Sequence, residues 1–309
     1  MSDNLMGHAG IQMGYKGIDV KIIGYTKHPA KVMWDMLKQT WIELQDIEYD
    51  VNNPTVVEFI RGSVEKRLNP TPQETVLIQA VFKNISRVNL AQLTRHRGWL
   101  FQVESQMPQH VEHNVLLPLN IVHSEFYERA VKLIEDSQKL YDDMTAGNEN
   151  KDTTNIPYQD ARYLLIHGQT CDASCSFTLP QLVNVCGQRL ENNTADEINY
   201  AFRILLRKLS YAILVDDEMD ELDKLVYIEN LNRCDAFGAN QNKCFVCDDV
   251  FGNSFKRFPD GNVHVKHATE NCKFDYTKSA WYAELKRIYE EEPELLLYGE
   301  HDMIRRWED

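Results

Sequence analysis

A cluster of cationic and polar side chains occupies the segment QLTRHRGWLFQVES, from Gln92 to Ser105. If the helix predicted here extends to His96, then Gln92, Arg95 and His96 share one face at spacings of i, i+3 and i+4. Arg97 then lies at the turn into the next strand. Guanidiniums converging on one helix end favour an anion such as phosphate, which a planar guanidinium binds in bidentate fashion. The alternative is that these side chains serve the carbonyl end of the helix.

A second group of residues has the spacing of a metal site. Cys244 and Cys247 form a C-x2-C pair, and Cys272 together with His264 or His267 would complete a tetrahedral zinc site. Because the chain has one such pair in this region, unligated thiols remain the alternative. The zinc hypothesis takes as its ligands Cys244, Cys247, His267 and Cys272. Three other cysteines are interpreted as small buried apolar residues: Cys171, Cys175 and Cys186.

Three histidines in the middle of the chain raise the question of a further metal site. They are His110, His113 and His123, and apolar residues such as Val111 and Val115 lie among them. Their spacing is irregular and gives little support to a shared ligand cluster. We therefore expect structural roles for them.

Composition and charge narrow the classes of partner. The chain has 309 residues, of which 43% are hydrophobic and 26% charged, so it can form one large or two modest cores. With 47 acidic against 33 basic residues, its net charge is −14, which argues against nucleic acid or an anionic membrane as the main partner. No apolar run long enough to span a membrane and no signal-peptide pattern is present in the sequence, so we expect a cytosolic protein.

The apolar pattern predicts the elements that position these groups. Val20–Tyr25 is typical of a buried strand, and the apolar residues after Pro29 recur at helical spacing. Cys171–Leu179 has the residues of another strand, and Pro180 suits the first turn of the helix that follows. We also predict a strand at 75–82 and helices at 54–67, 88–96, 121–144 and 194–214, the last with a Thr-Ala-Asp-Glu capping box. The prediction is a mixed α/β (α+β) fold.

A change in composition marks a candidate domain boundary. The acidic run Asp216–Asp223 separates residues 1–215, the predicted catalytic domain, from a Cys- and His-rich extension at 216–309. The acidic side chains themselves are interpreted as a solvated helix face or linker rather than as a cation site.

The cationic segment carries a family resemblance. Arg95-His96-Arg97, seven further residues and then Ser105 resemble the RHR-x7-S signature of the flavin-dependent thymidylate synthases. Gln92, three residues before the signature, agrees as well. Ala161-Arg162-Tyr163-Leu164-Leu165 is similar to that family's Ala-Arg-x-x-Leu segment. Further along, three positions keep the family's spacing: Asn184, Arg189 and Glu197-Ile198. The resemblance covers roughly residues 19–215.

The resemblance implies both an architecture and a reaction. It implies a homotetramer whose mixed sheet is flanked by helices and which binds FAD between subunits. The implied reaction moves a one-carbon unit from methylenetetrahydrofolate to C5 of a pyrimidine nucleotide, most simply dUMP to dTMP. The flavin would supply hydride that originates from NADPH.

The resemblance also implies roles for single residues. The flavin would be held by Arg95, His96, Arg97, Asn184 and Thr178. The nucleotide would be held by Gln92, Glu104, Ser105, Arg162 and Arg189. Arg189 and Ser105 are the expected catalytic residues, Arg189 by stabilising negative charge on the ring and Ser105 as a positioning hydroxyl.

Several positions depart from the family pattern. Met107 stands where the family usually has a nucleotide-phosphate arginine, and Val103 replaces a glutamate, although Glu104 is adjacent. Further departures are Gln79, Thr178, Pro180 and Asn193. We therefore expect weak dUMP binding unless another cation substitutes for the missing arginine. The pattern suggests a divergent branch of the family, with a phage-encoded enzyme as one interpretation.

Two other functions remain open on the sequence alone. One is a pyrimidine nucleotide hydroxymethylase, in which water rather than hydride completes the reaction. The other is a non-catalytic interaction protein supported by zinc in the extension.

Overall fold

The computed structural model describes residues 6–8, 10–15, 17–66, 68–107, 110–146, 156–190 and 195–239. The proposed zinc ligands lie outside the described residues: Cys244, Cys247, His267 and Cys272. Among the helices described, none combines the length and the apolar character that a membrane crossing requires.

The described residues form seven strands and nine α-helices. The strands are β1 (Met6–His8), β2 (Ile11–Met13), β3 (Asp19–Tyr25), β4 (Leu77–Ser86), β5 (Leu100–Val103), β6 (Val115–Leu117) and β7 (Thr170–Thr178). The helices are α1 (Pro29–Leu37), α2 (Pro54–Glu65), α3 (Arg87–Leu93), α4 (Leu119–Val122), α5 (Tyr127–Thr145), α6 (Tyr158–Ala161), α7 (Leu179–Arg189), α8 (Asp196–Leu214) and α9 (Glu221–Ala239). The predicted mixed α/β class is confirmed.

The strands form two sheets. One has the order β1-β2-β6, with β1 antiparallel to β2 and β2 parallel to β6, so that Ile11 lies opposite Val115. The other has the order β3-β4-β7-β5. The predicted strands at Val20–Tyr25 and Cys171–Leu179 correspond to β3 and β7. Cys171, Cys175 and Cys186 are buried as expected, and burial raises the pKa of the Cys175 thiol to about 12.

The chain divides into two compact units. Unit 1 comprises the residues up to Asp19 together with Phe82–Arg95 and Phe101–Ser174. Its larger core consists of Ile11, Val115, Leu117, Val131 and Ile134. Unit 2 comprises Val20–Val81, His96–Leu100 and the described residues from Cys175 onward. Its fully buried side chains include Met33, Trp34, Ile60, Phe177 and Phe202.

The helix predicted at 88–96 ends earlier than expected. α3 begins after Ser86, whose hydroxyl accepts a hydrogen bond from the Asn89 N–H, and it ends at Leu93. Thr94 closes the last turn by donating its N–H to the Leu90 carbonyl. The shared helix face predicted for Gln92, Arg95 and His96 is therefore wrong, because the chain has left the helix before the two cationic residues.

Two other predicted helices also differ. The one at 121–144 is interrupted, since α4 ends at Val122 and α5 begins at Tyr127. α8 begins at Asp196 after Ala195, which provides no side-chain cap, so no capping box opens it. A capping box exists instead at the start of α7, between Thr178 and Gln181.

The acidic run after α8 is not a solvated linker. The side chains of Asp216 and Asp223 are buried, and Asp223 accepts hydrogen bonds from the Ala30 N–H at 2.9 Å and from His28 at 3.1 Å. The helix that follows, α9, packs against α1, α2, α7 and α8. The described residues 216–239 thus belong to the same compact unit as 175–190 and 195–215. The extension at 216–309 as a separate domain stays a prediction.

Asp216 joins the end of α8 to the strand β3 and the residues after it. Its Oδ2 accepts hydrogen bonds from the Tyr25 hydroxyl and from Lys27 Nζ, each at 2.5 Å. Burial alone would raise the pKa of Asp216, but the hydrogen bonds from Lys27 and Tyr25 outweigh it and hold the pKa below its ordinary value. The same environment raises the pKa of Tyr25 to about 12, through burial and then the Asp216 hydrogen bond.

We expect Asp216→Asn to destabilise the fold by about 1.5–3 kcal/mol at neutral pH, the range for hydrogen bonds to a charged group. Because the pKa is lowered in the folded state, the stabilisation is complete above the ordinary carboxyl pKa and is lost as pH falls through the folded value. Urea unfolding at several pH values measures this. Asp217→Asn is the matched control, because Asp217 is exposed. Equal losses in both variants would contradict the assignment.

Candidate functional site

The most constrained polar contact in unit 2 joins His96 to Arg189. His96 lies in the turn after α3 with 7% of its surface exposed, and Arg189 is the last residue of α7. Arg189 Nε donates a hydrogen bond to His96 Nε2 at 2.9 Å. A ring nitrogen that accepts from a guanidinium carries no proton, so this contact assigns the proton of the neutral imidazole to Nδ1.

The environment keeps His96 neutral. Burial disfavours the imidazolium, and the positive charge of Arg189 adds to that effect, so the pKa of His96 is lowered to about 4. At neutral pH the ring therefore offers one N–H donor and does not repel a neighbouring cation. Nδ1 makes no hydrogen bond with any other residue that the structure describes, which leaves that donor for a ligand.

Two residues of α8 hold the end of α7 in place. Asn199 Nδ2 donates to the Arg189 carbonyl at 3.1 Å, and Arg203 Nε donates to Asn199 Oδ1 at 2.8 Å. Both side chains are buried. Sequence reasoning missed them, although two polar residues at i and i+4 on the apolar side of a helix were a usable signal.

An aromatic layer lies beneath the histidine. The Trp99 ring stacks on Phe177 with centroids 4.0 Å apart, and the His96 ring lies 5.8 Å from Trp99. Gly98 makes this turn feasible, since its φ is +84° and a Cβ there would lie 2.4 Å from Gln181 Nε2. The turn between α3 and β5 is thereby fixed against the start of α7.

The predicted flavin ligands of unit 2 differ in their surroundings. Thr178 is committed to local structure, because its hydroxyl donates to Glu74 at 2.7 Å and accepts the Gln181 N–H of the capping box. Arg97 and Asn184 are exposed and make no hydrogen bond or ion pair with the described residues. Arg95, which belongs to unit 1, is also exposed and makes no hydrogen bond or ion pair with the described residues. These three side chains retain their hydrogen-bonding groups for a ligand.

A second group of functional residues surrounds a cavity in unit 1. The cavity has a volume of about 290 Å³. It is lined by Arg87, Gln106, Arg162, Tyr163, Leu165, Ile166 and His167. Two guanidiniums therefore face one small open space, which is the arrangement that an anion requires.

Arg87 has unused hydrogen-bonding capacity at this cavity. Its Nη2 donates a hydrogen bond to the Glu104 carbonyl at 3.2 Å. Its Nε is buried without a hydrogen-bond partner among the described residues. Arg162 Nε donates to the Gln159 carbonyl at 3.1 Å. Sequence reasoning identified Arg162 and missed Arg87, which no motif in the sequence singled out.

The remaining predicted nucleotide ligands lie along the same unit. Glu104 and Ser105 follow β5 and are exposed, and the Ser105 Oγ accepts the Met107 N–H at 3.2 Å. Gln92 lies half-buried near the end of α3. The Met107 side chain is 56% exposed, and it has no donor for a phosphate.

A family model matches most of the sequence that carries the candidate residues. A family model described as thymidylate synthase complementing protein matches residues 21–212, which include every predicted flavin and nucleotide ligand. No curated protein sequence matches the chain.

Two solved structures of one enzyme share the fold, and a third structure scores lower. The UMP/dUMP methylase PolB from Streptomyces cacaoi bound with 5-Br UMP has a TM-score of 0.53 and 14% identity, covering 74% of this chain and 98% of that one. The same enzyme with 5-Br dUMP has a TM-score of 0.52 and 14% identity, with coverage of 71% and 96%. ThyX from Helicobacter pylori with FAD and dUMP has 17% identity, coverage of 69% and 99%, and a TM-score of 0.45.

We expect Arg189→Met to raise the pKa of His96 from about 4 towards its ordinary value of 6.5, without reaching it, because burial persists. Titration of the His96 Cε1 proton by NMR measures the shift. Arg97→Met is the matched control, because this neighbouring exposed arginine does not contribute to the shift. An unchanged His96 titration in Arg189→Met would contradict the pairing.

The lowered pKa of His96 also affects stability. Since the folded-state pKa is the lower one, the free energy of unfolding should decrease as pH falls from 6.5 to about 4.

Proposed function

Because this chain belongs to the thymidylate synthase complementing protein family, we propose that it transfers a one-carbon unit to C5 of a uridine-type monophosphate. The proposed donor is methylenetetrahydrofolate, the proposed cofactor is FAD, and the simplest product is dTMP from dUMP. The observation that carries the nucleotide assignment is the cavity of unit 1, where Arg87 and Arg162 meet inside the matched range.

We place the phosphate of the nucleotide between Arg87 and Arg162. The family's usual phosphate arginine is absent at Met107, and Arg87 brings a second guanidinium-bearing side chain to the lining of the cavity beside Arg162. Charge-assisted hydrogen bonds from such side chains suit a phosphate. A cavity of about 290 Å³ suits the phosphate and part of the sugar rather than a whole nucleotide.

We assign the remaining predicted ligands to the sugar and base. Ser105 is a positioning hydroxyl, because no described base lies within hydrogen-bond distance to activate it. Gln92 and Glu104 are proposed to contact the same nucleotide. By resemblance to the family, Arg189 is proposed to stabilise negative charge that develops on a pyrimidine ring during attack by C5. Asn199 and Arg203 act as positioning residues for it.

The donor set of unit 2 fits a flavin. A neutral imidazole with a free Nδ1–H suits a polar ring edge, and the exposed Arg97 guanidinium suits a diphosphate. Asn184 adds an exposed amide on α7, and Arg95 is the second exposed guanidinium of the motif. Thr178 contributes less than the family resemblance implies, because its hydroxyl is already used. When bound, FAD supplies the hydride that completes the methyl group.

Further parts of the proposal concern co-substrate and assembly. NADPH is proposed as the source of reducing equivalents, and a homotetramer as the assembly, both by resemblance to the family. The similarity of fold to a UMP/dUMP methylase supports testing UMP alongside dUMP.

Mass spectrometry of the products tests the function. Protein supplied with FAD, NADPH and methylenetetrahydrofolate should convert dUMP or UMP into a product heavier by one methyl substitution. A hydroxymethylase would give a product with one additional oxygen. A protein that takes up no FAD and forms neither product would overturn the catalytic proposal and favour an interaction protein.

We expect Arg87→Met to weaken dUMP binding at least tenfold, or about 1.4 kcal/mol, while deoxyuridine binding stays unchanged. The difference arises because the substitution removes a phosphate donor and leaves the base and sugar contacts in place. Isothermal titration of both ligands measures it. Arg129→Met is the matched control, because Arg129 is an exposed arginine of the same unit that does not line the cavity. Equal losses of affinity for dUMP and deoxyuridine would show that Arg87 does not bind the phosphate.

A further inference from the structure

Two histidines and a carboxylate meet in unit 1, and none of the three lines the cavity. His113 Nε2 lies 2.8 Å from Asp142 Oδ1 and 2.7 Å from Oδ2, and His110 Nε2 lies 2.9 Å from the same Oδ1. One ligand atom from each of the three residues lies within 4.8 Å of the other two. Three metal-ligating groups therefore face one point, although His123, the third histidine of the sequence cluster, is not among them.

The three residues are held in place by a small core. Tyr141, which is fully buried next to Asp142 on α5, packs with Val111 and Ala161. The Val111 N–H donates to the Tyr141 hydroxyl at 3.2 Å, so the chain between the two histidines is tied to the helix that bears the carboxylate. The Tyr141 ring lies 5.3 Å from that of His110 and 6.2 Å from that of His113. The ligands are thus positioned by elements that do not depend on a metal.

The amino-terminal strand adds a further constraint. Gly10 has a φ of +81°, and a Cβ there would lie 1.8 Å from the His113 carbonyl oxygen. Glycine is therefore required for β2 to approach the backbone of His113 this closely. The position of His113 is fixed by the sheet on one side and by α5 on the other.

We propose that His110, His113 and Asp142 bind one divalent transition-metal ion, best matched by Zn²⁺, through both Nε2 atoms and one carboxylate oxygen. Two imidazoles and a carboxylate are a known ligand set of zinc sites with three protein ligands, which keep a fourth position for water or another ligand. The side chains of His110 and Asp142 are 40% and 46% exposed, so an ion has access from solvent. This site is separate from the C-x2-C pair at Cys244 and Cys247.

The geometry sets the expected strength of the site. Ligand atoms at about 2.0–2.1 Å from a tetrahedral Zn²⁺ are about 3.3 Å apart, so each imidazole nitrogen must move about half an ångström away from the Asp142 carboxylate. Partly exposed side chains can do this. His113 Nδ1, however, is buried without a hydrogen-bond partner among the described residues, whereas ligating histidines usually donate that N–H. We therefore expect an exchangeable ion that is lost on treatment with chelator and regained from added Zn²⁺.

Zinc titration of the full chain tests the proposal. The starting protein carries Cys244→Ser and Cys247→Ser, which removes two of the four ligands of the other candidate zinc site, and is freed of metal with chelator. Isothermal titration should show one Zn²⁺ per chain, and added Zn²⁺ should raise Tm. Asp142→Asn and, separately, His113→Gln in this background should weaken binding at least tenfold and abolish the rise in Tm.

Matched controls distinguish the site from adventitious binding. Asp143→Asn removes an exposed carboxylate one residue further along α5, and His123→Gln removes an exposed histidine outside the group. Both should bind Zn²⁺ as the starting protein does. Circular dichroism without metal shows whether each variant is folded. If one of the two ligand variants does not fold, the other still tests the site. Absence of zinc binding in the starting protein, or equal binding in all folded variants, would overturn the proposal.

Discussion

The hydrogen bond from Arg189 to His96 imposes one condition on the rest of unit 2, which is that a buried imidazole beside a guanidinium must stay neutral. Two cations in contact away from solvent would repel each other strongly, so the site depends on a depressed histidine pKa. The chain meets this condition by burying the ring over Trp99 and by fixing the end of α7 through Asn199. The result is a motif with two exposed guanidiniums, Arg95 and Arg97, and one buried neutral imidazole.

That condition also explains why the motif is not helical throughout. An RHR sequence in a continuous helix would turn its three side chains in different directions around the axis. Ending α3 at Leu93 places His96 inward while Arg95 and Arg97 stay exposed. The reversal at Gly98 completes this division between one buried side chain and two exposed ones.

Sequence reasoning found the features that depend on local pattern and missed those that depend on distant partners. β3, β7 and the mixed fold follow from runs of apolar residues, and the RHR motif located the cationic segment. Arg87 was missed, because its significance comes from sharing a cavity with Arg162, far along the chain. The group of His110, His113 and Asp142 was missed for the same kind of reason. The carboxylate that unites the two histidines lies on another element, so their spacing in the sequence does not reveal it.

The burial of the acidic run also could not be predicted from local sequence. A cluster of carboxylates is usually solvated, and nothing within Asp216–Asp223 itself reveals a partner. The partners are Tyr25, Lys27 and the start of α1, all near the beginning of unit 2. Burial of these acids is therefore a property of the tertiary fold, which brings the two ends of that unit together.

The parallel pairing of β2 with β6 has a consequence for biosynthesis. Ile11 cannot meet Val115 until the whole segment between them has left the ribosome, so the first strands of the chain wait with an open edge while later residues are made. Closing so long a loop is slow compared with forming a hairpin. Strands β1 and β2 are thus open to chaperones and to mispairing with other chains until β6 has been made.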